Sequence, residues 1–395
     1  MDSAETKLKS LAVSLGADLV GVTTRDLLAD GPPSADPRYL LPSANSVISF
    51  ALSQDRDIVQ NFISKKKWRP HCDNRKAIAQ TLYTIGDTLA EHLRSEGYET
   101  VNVDLNNNYR LEEAAADVTE MTEFHPDFSH RYAALASGIG RLGWSGNLLT
   151  REHGALVELG SVLTSAILTP DTPIPDKEHP CDRCKMCSLV CPVEMIQPKA
   201  STQVTVAGVT ETISRKRPNT CCWISCTGYE GLATSRTWSN WSPYRLGRPL
   251  PEEKQELDAL CISLQKADPQ MQAADNSFIN YRQAVFDPDW FYYTVCGFCR
   301  SVCSPRREER LANRKLIINS GTAALKLDGS HEVADENAVE VRTPFGLRVV
   351  VTSEELSEGR PMTRKWPGQF PLDREVIEYL CQHFNSTDAK GCAAD

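Results

Sequence analysis

The chain has 395 residues, of which 41% are hydrophobic and 24% charged. This is the usage of an ordinary globular protein, so wholesale disorder is excluded. Lys and Arg number 43 against 52 for Asp and Glu, a formal net charge of -9, and that balance argues against a nucleic-acid partner held by a broad positive field.

Leu8, Leu11, Ala12 and Leu15 share one helical face, and Gly16 is placed to end that helix. Leu19 to Val22 and Val47 to Leu52 read as short buried strands. Ala77, Ile78, Leu82, Ile85, Leu89 and Leu93 mark a long amphipathic helix that stops at Gly97. Thr100 to Val103 is the next strand, His130 to Ala136 a helix and Leu156 to Leu163 a strand. The alternation predicts a layered α/β domain over residues 1–170. A proline-punctuated connector, Thr169 to Pro175, leads into a cysteine-rich region over 171–310. Residues 311–395 carry a predicted hairpin from Val339 to Val351, turning at Pro344-Phe345-Gly346, and a helix from Arg374 to Phe384.

The count of 14 cysteines needs a compartment. Met1 to Lys7 lacks a basic region before an apolar stretch, and no run of about 18 apolar residues occurs, so neither a secretory leader nor a membrane span is expected. The expectation is a cytoplasmic protein, in which cysteines serve metals or catalysis rather than disulfides.

Cys181-x2-Cys184-x2-Cys187-x3-Cys191-Pro192 has the spacing of a bacterial ferredoxin-type cluster motif, whose fourth cysteine ligates a second cluster. A zinc ribbon uses paired C-x2-C units instead. The motif therefore calls for a second set. Cys296-x2-Cys299-x3-Cys303 matches its last three positions, with Ser304 inserted before Pro305. The missing member lies upstream among Cys221, Cys222 and Cys226, with Cys222 favoured. Crossed ligation gives one [4Fe–4S] cluster on Cys181, Cys184, Cys187 and Cys303, and another on Cys191, Cys222, Cys296 and Cys299. Cys72, Cys261, Cys381 and Cys392 read as ordinary thiols. Two clusters alone describe an electron carrier, and such a protein serving a partner enzyme is the rival reading.

Gly138-Ile139-Gly140-Arg141-Leu142-Gly143 matches G-x-G-x-x-G but follows a helical stretch rather than a strand, so a Rossmann reading fails. The order Ala136 to Gly146, Leu148 to Thr150, Leu159 to Thr164 and then the first cluster motif resembles the superfamily of epoxyqueuosine reductases and reductive dehalogenases. The split second motif resembles it too. The resemblance covers about residues 5–310 and implies an α+β fold: a nitroreductase-like α/β sandwich holding cobalamin, plus a ferredoxin-like module with two [4Fe–4S] clusters. It implies Gly138, Gly140, Gly143, Trp144 and Ser145 as cofactor neighbours, and an external low-potential donor of ferredoxin or flavodoxin type. Where epoxyqueuosine reductases carry an Asp proton donor, a gap-free alignment places Phe124, with Glu123 and Asp127 near it. Asp127, His130 and Tyr132 are the candidate acids.

The acidic balance directs the expectation toward a small organic substrate rather than tRNA. Lys65 to Arg69 and Arg215 to Arg217 are local basic runs, read as solvated loops or contacts to cobalamin. The insert between Cys222 and Cys296 holds Tyr229, Trp238, Trp241 and Tyr244, and Trp290 to Tyr293 follows. These aromatics either line an apolar pocket under an extra lid or pack a core. A flavin in place of cobalamin is a further alternative.

Overall fold

The structure is a computed structural model that describes residues 3–105, 110, 125–267, 281–326, 329–344, 346–352 and 376–380. The first helix, Ala4–Ser14, begins where the Ser3 side chain accepts from the Thr6 amide, satisfying one otherwise orphaned donor. It buries Leu8 and Ala12, and Gly16 follows at φ 105°. The expected strands form one four-stranded sheet in the order Leu19–Thr24, Ser46–Ser53, Val157–Thr164, Thr100–Asn102. Every neighbouring pair is antiparallel. Alternation of helix and strand over this part of the chain thus yields a mixed α and β layer whose four-stranded sheet is antiparallel throughout.

The 27-residue helix Arg69–Ser95 lays the face with Ile78, Leu82, Ile85, Leu89 and Leu93 on that sheet, in a core shared with Ile48, Phe50 and Val162. The short helix His130–Ala136 packs on the other strand positions, with Ala133 to Ala136, Val47, Ala51 and Leu163 in one cluster.

Between the first cysteine motif and Cys221 the chain builds a long hairpin, Ile196–Val206 with Val209–Lys216. Its Ala207-Gly208 turn has φ 55° and 71°, the paired positive φ of a tight hairpin. Asp30 accepts from both turn amides, at 2.7 and 2.8 Å. A second sheet pairs Val339–Arg342 with Arg348–Val351, as the hairpin reading expects. It continues through Ala323–Leu325 to His331–Val333, and Tyr244–Arg245 from within the insert also pairs with Arg348–Val351. Residues 376–380 are helical; the rest of the predicted terminal helix, Phe345, Glu123 and Phe124 lie outside the described residues.

The described aromatics of the insert are packed core. Trp238, Trp241, Phe291, Val295 and Phe298 share one apolar cluster with Phe62, Trp68, Trp144 and Leu156. The Trp241 indole donates to the Phe62 carbonyl at 2.8 Å, and that of Trp68 donates to Thr294 at 2.6 Å. Trp290 and Tyr292 are braced by Lys76 and Arg75 of the long helix. The aromatics therefore join the cysteine region to the first domain instead of forming a lid. Among the described residues no helix is long and apolar enough to cross a membrane.

A candidate two-cluster thiol site beside a basic cleft

The loop carrying the first motif turns sharply, with Arg183 and Lys185 at φ 56° and 60°, before the short helix Met186–Leu189. Asp182 accepts from the Cys184 amide at 3.1 Å and from Arg310 at 2.6 Å. Arg310 also donates to the Ser304 carbonyl at 2.7 Å. One guanidinium thus ties the first motif to the end of the second. Cys181, Cys184, Cys187 and Cys303 line a single small hollow with Gly143, Trp144 and Ser145. Burial pushes the Cys187 thiol up to about 12, helped by Cys299, Cys181 and Cys184. Burial also raises Cys303, with Cys181 and Cys187 next in effect.

A second group gathers around the helix Asn219–Cys226. The Cys222 and Cys226 sulfurs are 3.4 Å apart, and Cys226 also interacts with Cys296. Cys226 brings the Cys296 thiol down to about 7 against the opposing effect of burial. Cys191 accepts from the Met195 amide at 3.3 Å and is pushed up to about 12, by burial and then by Cys299 and Cys296. Cys299 receives the Asn147 amide at 3.7 Å. Cys221 turns away into the core around Leu257 and Cys261. Among the described residues, no three His, Cys, Asp or Glu side chains converge tightly enough to hold a single metal ion. Cys72 is buried under Thr294, whereas Cys381 and Cys392 lie outside the described residues.

Arg141, the fourth residue of the glycine segment, is fully buried. It donates to Glu211 of the hairpin at 2.5 Å, to Asp176 at 2.9 Å and to the Ile174 carbonyl at 2.6 Å. The other Glu211 oxygen meets His179 at 3.0 Å, and His179 accepts from the Cys181 amide at 3.0 Å. Cβ atoms at Gly138, Gly140 and Gly143 would meet the Thr172 oxygen at 2.5 Å, the Leu149 oxygen at 2.4 Å and a Leu149 methyl at 2.6 Å. The space beside these glycines is filled by the chain itself. Trp144 is buried, its indole donating to Gln197 at 3.1 Å and its face covered by Lys185. The buried Ser145 hydroxyl accepts from the Asn147 amide at 3.3 Å.

His130 is buried with Nδ1 2.9 Å from the Ser161 hydroxyl and Nε2 3.0 Å from the Asp104 carbonyl. A carbonyl only accepts, so Nε2 carries the proton and Nδ1 accepts from Ser161. Burial holds this imidazole below its ordinary range. Tyr132 is half-buried, and burial raises its phenol. Asp127 is half-buried just ahead of them.

A cleft of about 1470 Å³ opens beside Cys191. Its walls carry Lys199, Arg215, Lys216, Arg217 and Arg314 against the two acids Glu194 and Glu252. Burial lowers Lys216, and Arg131 opposes its charge further while Cys299 and Cys222 support it. Arg131 donates to the Gly146 carbonyl at 3.2 Å, so these two cations bridge the glycine segment and the second thiol group. Lys65 is buried instead of solvated, donating to the Ser239 carbonyl at 2.6 Å and the Ser320 hydroxyl at 2.5 Å. Arg131 was not singled out in the sequence, and Cys226 was named there only as a less favoured alternative to Cys222. The helical i, i+4 interval from Cys222 to Cys226 is the signal that finds the latter.

No family model matches the chain. A curated epoxyqueuosine reductase from Synechocystis sp. is 25% identical over 202 residues, 49% of this chain and 58% of that protein. Another, from Synechococcus sp., is 28% identical over 168 residues, 42% of this chain and 45% of that one. The chain therefore spans less than two thirds of either relative, and the resemblance to epoxyqueuosine reductases stands on these matches. Among solved structures, epoxyqueuosine reductase with a tRNA-Tyr epoxyqueuosine-modified stem loop aligns at TM-score 0.34 and 22% identity, over 48% of this chain and 52% of that one. A reductive dehalogenase described by B12-dependent dehalogenation aligns at 0.39 and 19%, over 68% and 35%.

Proposed function

We propose that this chain is a corrinoid-dependent iron–sulfur reductase that cleaves a bond in a small organic substrate reductively. The observation that carries the proposal is the sorting of the thiols. Cys303 of the second motif lies with the first three cysteines, and Cys191 of the first lies with Cys296 and Cys299. Soft thiolates in groups of this composition suit iron–sulfur clusters. Cys181, Cys184, Cys187 and Cys303 would hold one; Cys191, Cys222, Cys296 and Cys299 would hold the other. Two clusters supply one-electron steps from an external ferredoxin- or flavodoxin-type donor.

In this reading residues 1–170 form a nitroreductase-like corrinoid-binding domain, 171–310 the ferredoxin-like cluster module and 311–395 an extension, in a cytoplasmic protein. Arg131 and Lys216, which meet at Gly146, are the residues of this chain that would orient a corrinoid, and that group would supply the reductive cleavage when bound. Tyr132 is the best-suited proton donor of the three acids, because its phenol stays protonated at neutral pH. The test is anaerobic reconstitution of the full chain with iron, sulfide and cobalamin. About eight irons with one tightly held corrin are expected. Iron without corrin affinity leaves the electron-transfer reading, and a released flavin spectrum the flavin one.

The excess of cations on the cleft supports a second reading, an anionic substrate such as an RNA stem loop. Binding of a tRNA stem loop that weakens steeply with salt, and that is weaker with a shallower salt dependence in Lys199→Glu, favours it. Salt-insensitive or absent binding favours the small substrate.

A further inference from the structure

The second thiol group contains one sulfur more than a cluster needs. Cys191, Cys222, Cys226, Cys296 and Cys299 gather there, whereas a cubane takes four. Cys222 and Cys226 stand one turn apart on the same face of their helix, where i and i+4 side chains are neighbours, with sulfurs 3.4 Å apart. Cys222 interacts with Cys191, Cys296 and Cys299. Cys226 contacts Cys222, interacts with Cys296 and is the exposed member of the group. Cys221, the immediate neighbour, is wholly buried among apolar side chains and takes no part.

We infer that Cys226 is an interchangeable ligand for the position that Cys222 fills at the second cluster, an inference that rests on the two-cluster reading above. The exchange is a ligand substitution without oxidation. An iron–sulfur bond forms to the Cys226 sulfur, the bond to Cys222 breaks, and the Cys226 thiol proton passes to the leaving Cys222 thiolate. No oxidant or reductant is consumed. The 3.4 Å sulfur separation lets side-chain rotation on an unmoved helix make the change.

The test uses the full chain, reconstituted anaerobically, as Cys222→Ala, Cys226→Ala, the double variant and Cys221→Ala. Alanine is chosen because serine offers a ligating oxygen. Iron, acid-labile sulfide and the electron paramagnetic resonance spectrum of the reduced protein are measured. Each single variant is expected to keep about eight irons, with a shifted second-cluster signal in Cys222→Ala, while the double variant falls to about four. Cys221→Ala should match the parent. Loss of half the iron in either single variant overturns the inference, since one of the two would then be indispensable. The two single variants decide even if the double variant does not fold. A parent chain that holds no iron overturns the two-cluster reading itself, which is a distinguishable result.

Discussion

Arg141 donates to Glu211 at 2.5 Å with the two side chains 1% and 2% exposed. The pair joins the glycine segment to the long hairpin, and through His179 to the amide of Cys181. Burial works against the charges on both partners, yet Glu211 is held below the usual carboxylate range by His179 and Arg141. Arg141 is raised above its usual value by Glu211 and Asp176. Removing one partner strands the other charge. Glu211→Gln is expected to cost about 3–5 kcal/mol, and the double variant Arg141→Met/Glu211→Leu to recover part of it. Denaturant unfolding measures the cost, and iron content should fall first at the Cys181 group.

Glu158 sits between Arg300, at 2.8 Å, and Arg75, at 3.0 Å. It links the central sheet to the residue beside Cys299. Burial alone would raise this carboxyl, but Arg300 and Arg75 hold it down to about 2. A carboxylate with a lowered folded value stabilises fully above its ordinary value of 4.5 and loses that contribution as pH falls through about 2. The stability difference between the parent and Glu158→Gln should therefore narrow as pH drops from 5 toward 3. A gap that stays constant over that range contradicts the assignment.

The three acid candidates separate by environment. His130 is locked at both nitrogens and kept neutral by burial, tying the helix to the strand carrying Ser161. His130→Asn should destabilise by about 1–3 kcal/mol without moving the pH profile of turnover. Tyr132→Phe should lower turnover under an artificial low-potential donor while iron content and stability remain near the parent. Unchanged turnover in Tyr132→Phe removes it as the donor.

The cysteine spacing made both thiol groups legible, because each motif demands a partner for its odd member. Apolar periodicity likewise gave the Arg69–Ser95 helix and the main strands. Strand order was not legible, since periodicity reports which face is buried and not which neighbour covers it. The Ile196–Lys216 hairpin escaped notice because its first strand buries only its two end residues, Ile196 and Val206, and so shows no apolar alternation. Arg141 escaped because a charge within a glycine segment reads as surface until Glu211, 70 residues on, is brought to it. The aromatic insert offered both pocket and core, and only the contacts of Trp241 with Phe62 and Trp68 decide for core.

The central claim is that the two motifs exchange one cysteine each. The most direct measurement compares Cys191→Ala and Cys303→Ala by iron content and electron paramagnetic resonance after reconstitution. Each variant should lose about four of eight irons, and they should lose different signals. Cys191→Ala should keep the signal that depends on Cys181, Cys184 and Cys187, and Cys303→Ala should keep the one that depends on Cys296 and Cys299. Loss of the Cys181 signal in Cys191→Ala, with the Cys296 signal intact, contradicts the crossed arrangement.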